Sequence, residues 1–229
     1  MRMPVLIVLG FALVAGFAAW ISFRQKRKRF EAFLLVARQF GLEFWAVDDR
    51  GCLGLPFALL TKGDGRGTEN VLSGAWQEVS LVAFDYWYYE ENTDSNGRTG
   101  RTYHRFSCAV TEIDAACSAV TISRENVFTR LADHLAMRDI EFELEEFNRA
   151  FDVRGKDRKF ANDLLDARMM RWLLATDPAF GFETAGRWLL CFSKRRQPTE
   201  LIPLLGTLRG FREHVPDVVY SLYGAGTGR

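Results

Sequence analysis

The feature that most constrains this chain is an uncharged run at its start, closed by a cluster of cations. Residues 4–22 (PVLIVLGFALVAGFAAWIS) carry no charge, and Arg24, Lys26, Arg27, Lys28 and Arg29 follow at once. As an α-helix the run is about 28 Å long, against a hydrocarbon core of about 30 Å. Ten of its residues are Leu, Ile, Val or Phe; together these contribute roughly −3 to −6 kcal/mol on an insertion scale. A membrane-spanning helix from Pro4 to Ser22 is expected, with Leu9 and Phe17 inside it and Trp20 near the headgroups, where an indole is well placed. A cleaved signal peptide carries its charge before the apolar core and small residues after it. Here Arg2 is the one cationic side chain before the core, and Trp20 and Ile21 stand where small residues would be needed.

Lys and Arg beside a span stay on the cytoplasmic side. The amino terminus is therefore expected outside and the rest inside, in the order anchor (1–23), basic juxtamembrane helix (24–41) and cytoplasmic α+β domain (42–229). Five cations near an anionic leaflet also draw the chain toward lipid, by about 1 kcal/mol each, although topology alone accounts for most of them.

The roughly 200 residues after the anchor suit one domain or two small ones. With 48% apolar and 26% charged residues the chain is globular rather than disordered. A formal net charge of +1 gives no bulk attraction to nucleic acid. Cys52, Cys108, Cys117 and Cys191 include no C-x-x-C pair and no His at metal-ligand spacing. In a cytoplasmic domain they are expected as thiols.

Residues 29–40 read as an amphipathic helix stopped by Gly41, with Phe30, Phe33, Leu34 and Phe40 at helical spacing. A short strand follows at 42–46. Segment 62–67 (KGDGRG) reads as a turn-rich connector, then 70–76, 79–90 and 101–113 as an antiparallel meander with a loose tip at 91–100. A helix capped by Ser123 is expected over 125–136. The alternation of Ile140, Phe142 and Leu144 with acids predicts a half-buried strand. Further helices are expected at 157–175 and 199–214, separated by a hairpin (180–193) turned at Ala185-Gly186. The fold class is α+β: a transmembrane helix, then a largely antiparallel sheet with helices packed on one face.

The stretches ENVLSG (69–74), FDYWYYEENTDSNGRTGRTYHRFSCAV (84–110), DIEFELEEFNRAFDVRGKDRKFANDLLDARMMRWLL (139–174) and LLGTLRGFREHVPDVVYSLYG (204–224) carry a resemblance. They are similar to a family of bacterial proteins with one N-terminal transmembrane helix, a domain of this size and no assigned activity. The resemblance implies that anchor and domain belong together; it transfers no functional residue.

No catalytic constellation stands out. KGDGRG lacks the G-x-x-x-x-G-K-[ST] pattern of a phosphate loop. His104, His134 and His214 fall in different elements, and Cys108 is four residues from His104 along a strand, too far for contact. Asp139, Glu141, Glu143, Glu145 and Glu146 form the densest acidic cluster, and the first three share a strand face. Such carboxylates hold a cation or act in pairs only when more ligands or burial join them; a solvated face beside Arg149, Arg154 and Arg158 is the simpler reading. The aromatic run Tyr86, Trp87, Tyr88 and Tyr89, with Tyr103 opposite, is the candidate interaction surface: alternate rings point to opposite faces, one set is expected in the core, and the other is an interaction patch only if helices leave it uncovered, core packing being the simpler reading. The basic pieces 154–159 and 194–196 could meet anionic lipid. The expected function is binding or scaffolding at the inner membrane surface, with no cofactor and no metal; its partners are the bilayer, anionic headgroups or another membrane protein. A membrane-tethered enzyme built on the carboxylates is the alternative.

Overall fold

The computed structural model describes residues 3–93, 95, 97–124 and 138–224, with side chains from Leu13 onward. One helix, α1 (Met3–Phe40), contains both the apolar run and the basic segment without a break. It stops where Gly41 turns left-handed at φ 67° and Leu42 N donates to Ala37 O at 2.9 Å, a glycine-terminated helix end. Its last turns belong to the domain: Phe33, Val36 and Ala37 are buried in the main core.

A seven-stranded antiparallel sheet follows, built from β1 (Glu43–Val47), β2 (Gly65–Trp76), β3 (Val79–Thr93), β4 (Thr99–Ser123), β5 (Arg138–Asp139), β6 (Asp152–Gly155) and β7 (Gly181–Lys194). The order is β1-β2-β3-β4-β6-β5, with β7 also paired to β4. The long β4 holds the sheet together: β3 pairs along 99–111, β7 between 106 and 122, and β6 at 120–123. The helices are α2 (Glu145–Ala150), α3 (Arg158–Leu164), α4 (Ala167–Ala175), α5 (Leu201–His214) and α6 (Asp217–Tyr223).

The two faces of the sheet are covered differently. Helices cover one: Leu201, Leu204, Leu205, Leu208 and Phe211 of α5 recur at helical spacing and bury against Leu81, Ala83, Ala109 and Leu189. The segment between β1 and β2 covers the other, placing Cys52, Phe57, Leu59 and Leu60 over Phe84, Tyr86, Cys108 and Phe192.

Several elements depart from expectation. The segment 180–193 is one strand, not a hairpin; Gly186, at φ 59°, sits in a bulge opposite Cys117. The bulge inserts residues and flips the faces, so Phe182 and Leu189 share the helix-covered core although their numbers differ in parity. The connector at KGDGRG is in part strand, since β2 begins at Gly65. The helical stretch 157–175 is two helices, because Asp166 starts a second one by accepting from Met169 N at 2.8 Å. In the 139–144 segment Asp139 pairs in the sheet and Ile140 N donates to Val153 O at 2.9 Å, after which the contact with β6 ends, although burial still alternates. Ser123 is the buried end of β4; the helix expected at 125–136 lies outside the described residues.

Among the described residues no helix is long and apolar enough to cross a membrane. The apolar run begins before Leu13, so the side chains of Pro4 and Leu9 lie outside the description. The part that is described is bare: Leu13, Val14, Phe17, Trp20 and Phe23 are each more than half exposed.

Candidate functional site

A concave surface lies where α1 leaves the sheet. A cleft of about 620 Å³ opens between Ser22, Gln25, Lys26, Lys28, Arg29 and Ala32 of α1 and Arg105, Arg195, Arg196, Gln197 and Pro198 of the domain. Six of its eleven lining residues are cations and none is acidic.

Beneath it is a buried carboxylate. Asp85, on β3, is 2% exposed. Arg29 grips it with two bonds, Nε to Oδ2 and Nη2 to Oδ1, both 2.6 Å. Arg29 Nη1 donates to the Arg196 carbonyl at 2.8 Å. Asn70 Nδ2 donates to Asp85 at 2.9 Å, from a left-handed position (φ 55°) in the irregular stretch of β2. Ser107 Oγ and Arg195 Nη2 complete the shell at 3.4 Å each. Two-bond arginine–carboxylate pairing fixes orientation as well as distance. Arg29 therefore locks α1 onto the sheet, a task its place in a basic cluster does not announce.

The rest of that cluster divides. Arg27 pairs with Glu31 at 3.0 Å in solvent, and Arg24 lies over the Trp20 ring. Lys26 and Lys28 line the cleft and make no ion pair among the described residues. From the domain, Arg195 donates to Glu69 at 3.1 Å and Arg196 to Asp177 at 3.1 Å. Arg105 has no ion-pair partner among the described residues and stacks over the Tyr103 ring at 5.3 Å. Arg195 Nε is buried without a hydrogen-bond partner among the described residues.

The aromatic strand splits by parity. Tyr86 and Tyr88 are core residues, and burial pushes the Tyr86 hydroxyl pKa well up. Trp87, Tyr89 and Tyr103 form a half-open shelf on the opposite face. Trp87 and Tyr89 are stacked, and Tyr103 lies 6.1 and 5.4 Å from them. Gly65 and Gly67 of β2 let the rings lie flat; a Cβ at Gly67 would come within 2.8 Å of the Trp87 indole. Arg105 is registered opposite Trp87 and joins shelf to cleft.

The other sequence candidates do not assemble. Asp139 is held by Arg154 at 3.0 Å, which also binds Asp152; Glu145 pairs with Arg149; Glu141 and Glu143 are exposed. Asp139, Glu141 and Glu143 do not share a strand face, because the sheet ends at Asp139. Among the described residues no cluster of three or more His, Cys, Asp or Glu could hold a metal ion. His104 stacks on Tyr88 at 4.7 Å, and His214 Nδ1 lies 2.8 Å from Gly210 O; His134 lies outside the described residues. All four cysteines are buried free thiols. Burial, then Asp48, raises the Cys52 pKa to about 12, and burial pushes Cys108 and Cys191 well up, so none is a ready nucleophile. In the basic piece 154–159, Arg154 is committed to acids and Lys159 pairs with Asp163 at 2.7 Å. In 194–196, Arg195 and Arg196 line the cleft.

One buried ionisable group sits on the loop-covered face. Glu183 of β7 accepts Ala58 N at 2.7 Å and Leu59 N at 3.1 Å, pinning the covering segment to the sheet. Burial raises its pKa from the usual 4.5 to about 7, against the opposing pull of those two N–H groups and of Lys62.

Asp85, Glu183 and Arg105 were not singled out from the sequence. Arg195 and Arg196 were visible there only as a short basic run.

No family model matches the chain, and no curated protein matches it. Among solved structures it resembles the mycobacterial trehalose monomycolate transport factor A, TtfA. The TM-score is 0.62 at 13% identity, over 83% of this chain and 97% of that one. At that identity the likeness establishes a shared α+β fold.

Proposed function

We propose that this chain is a membrane-anchored, non-enzymatic binding protein. In this reading α1 crosses the bilayer over residues 4–22 with the amino terminus outside, and the domain works at the cytoplasmic surface. The observation that carries it is the bare apolar face of α1. Leu13, Val14, Phe17, Trp20 and Phe23 are each more than half exposed, yet the same helix continues into the core through Phe33, Val36 and Ala37. A contiguous apolar surface on a rigid, docked helix needs a partner, and lipid fits an uncharged run of this length followed by cations. The likeness to a protein described as a transport factor suits an accessory role. Nothing in the carboxylate cluster supports the enzymatic alternative.

The test is alkaline carbonate extraction of membranes holding the full chain. The wild type is expected to stay in the pellet and the Leu13→Arg/Phe17→Arg variant to leave it; wild-type protein in the supernatant overturns the reading. Orientation needs an introduced thiol, because Cys52 is buried. Ser221→Cys on exposed α6 serves. An impermeant maleimide is expected to label it only after the cells are opened, and labelling of intact cells reverses the topology.

A further inference from the structure

We infer that the cleft between α1 and the β3–β4–β7 end of the sheet binds the phosphate headgroup of an anionic phospholipid. This rests on the anchored reading above and gives it a site. Six cations line the cleft, against three carboxylates (Asp85, Glu69 and Asp177) that partner them from outside the lining. The surplus is carried by identifiable groups. Lys26, Lys28 and Arg105 meet no acid among the described residues.

A second observation is independent of the charge count. Arg195 Nε is a buried donor without an acceptor among the described residues, and a buried donor left unpaired is destabilising. A phosphate oxygen supplies an acceptor carrying the charge the surroundings require. The volume, about 620 Å³, exceeds what an inorganic ion fills and lies within the range of small-molecule sites.

Position selects the lipid as the source of the phosphate. Ser22, the last residue of the apolar run, lines the rim, so a helix seated in a bilayer brings the mouth to headgroup level. The shelf of Trp87, Tyr89 and Tyr103 adjoins through Arg105. Such half-open amphipathic rings beside a cation are the side chains favoured at a membrane interface.

The experiment uses the full chain in an uncharged detergent. It titrates short-chain phosphatidylglycerol, short-chain phosphatidylcholine and inorganic phosphate. Saturable binding of phosphatidylglycerol is expected, at least ten-fold tighter than either control. The Lys28→Gln/Arg105→Gln variant is expected to lose about ten-fold or more, with unchanged circular dichroism and melting. Arg24→Gln/Arg27→Gln removes the same amount of charge from residues of α1 that do not line the cleft, and is expected to change affinity less than two-fold. Equal loss in both variants reduces the effect to general electrostatics and overturns the site. Equal affinity for phosphatidylcholine or for free phosphate overturns it too. Carbonate extraction of wild-type membranes is read separately: chain released there with lipid binding intact defeats the anchor and spares the cleft, and the reverse pattern defeats only the cleft.

Discussion

Among the described residues each face of the sheet buries one carboxylate, and the two are neutralised in opposite ways. Asp85, under α1, meets two guanidinium groups, an amide and a hydroxyl. Glu183, under the loop, meets two backbone N–H groups, with Lys62 nearby. The first joins a helix to the sheet through full charges, so it is strong, specific and costly to break from one side. The second holds a loop through peptide dipoles that do not fully replace water, so its ionised form is disfavoured. A latch on a helix that transmits position is thus built from ions. A clip on a covering segment is built from backbone and titrates near neutral pH.

The largest expected effect tests the ionic latch. Asp85→Ala leaves Arg29 and Arg195 facing one another without their shared counter-charge. Removing one partner of a buried ion pair costs about 3–5 kcal/mol. The denaturation midpoint is expected to fall accordingly, and limited proteolysis to cut first between residues 24 and 41, where α1 comes loose. A loss under 1 kcal/mol would show that α1 is held by Phe33 and its neighbours alone.

The clip is tested through pH. Between about 4.5 and about 7, the folded chain keeps a proton on Glu183 that the unfolded chain has released. Stability contributed at this site therefore falls as pH rises through that window and is level above it. The loss is on the order of 3 kcal/mol. Glu183→Gln imitates the protonated acid, so this slope is expected to disappear. Chemical denaturation of both proteins at pH 5 and pH 8 reads the difference, and equal slopes would place the titrating group elsewhere.

The smallest effect concerns the open shelf on the Asp85 side. Gly67→Ala places a Cβ against the Trp87 indole, which must tilt outward. A cost of about 1–2 kcal/mol is expected, with a red shift in tryptophan emission. An unshifted spectrum would mean the shelf adapts without opening.

Much of this architecture is legible locally. The meander shows in alternating side chains and in the Gln77-Glu78 turn, where both residues adopt positive φ. The stop of α1 shows in Gly41. The misreading at 180–193 has a definite cause: a glycine at positive φ serves a turn or a bulge equally well. What decides at Gly186 is its pairing with Cys117, about seventy residues earlier along the chain by the same counting that spaces strands. The alternation at 139–144 is real in burial, yet strand pairing needs a neighbour, and the contact with β6 ends with the Ile140 N to Val153 O bond.

The candidate site was half legible. The cationic run after residue 22 stands out because charge next to an uncharged stretch is a local pattern. Which of its members are free does not. Arg29 is consumed by an aspartate 56 positions away, and Arg195 reaches that same aspartate across 110. Composition and short-period patterning determined the class of fold, the long first helix and the basic collar, because these depend on neighbours in sequence. Tertiary structure alone decided that Arg29 is a latch, that Trp87 rather than Tyr86 lies open, and that Lys28 and Arg105 share a cleft. Ion pairing and burial act through space, and a linear chain does not record which distant residues will meet.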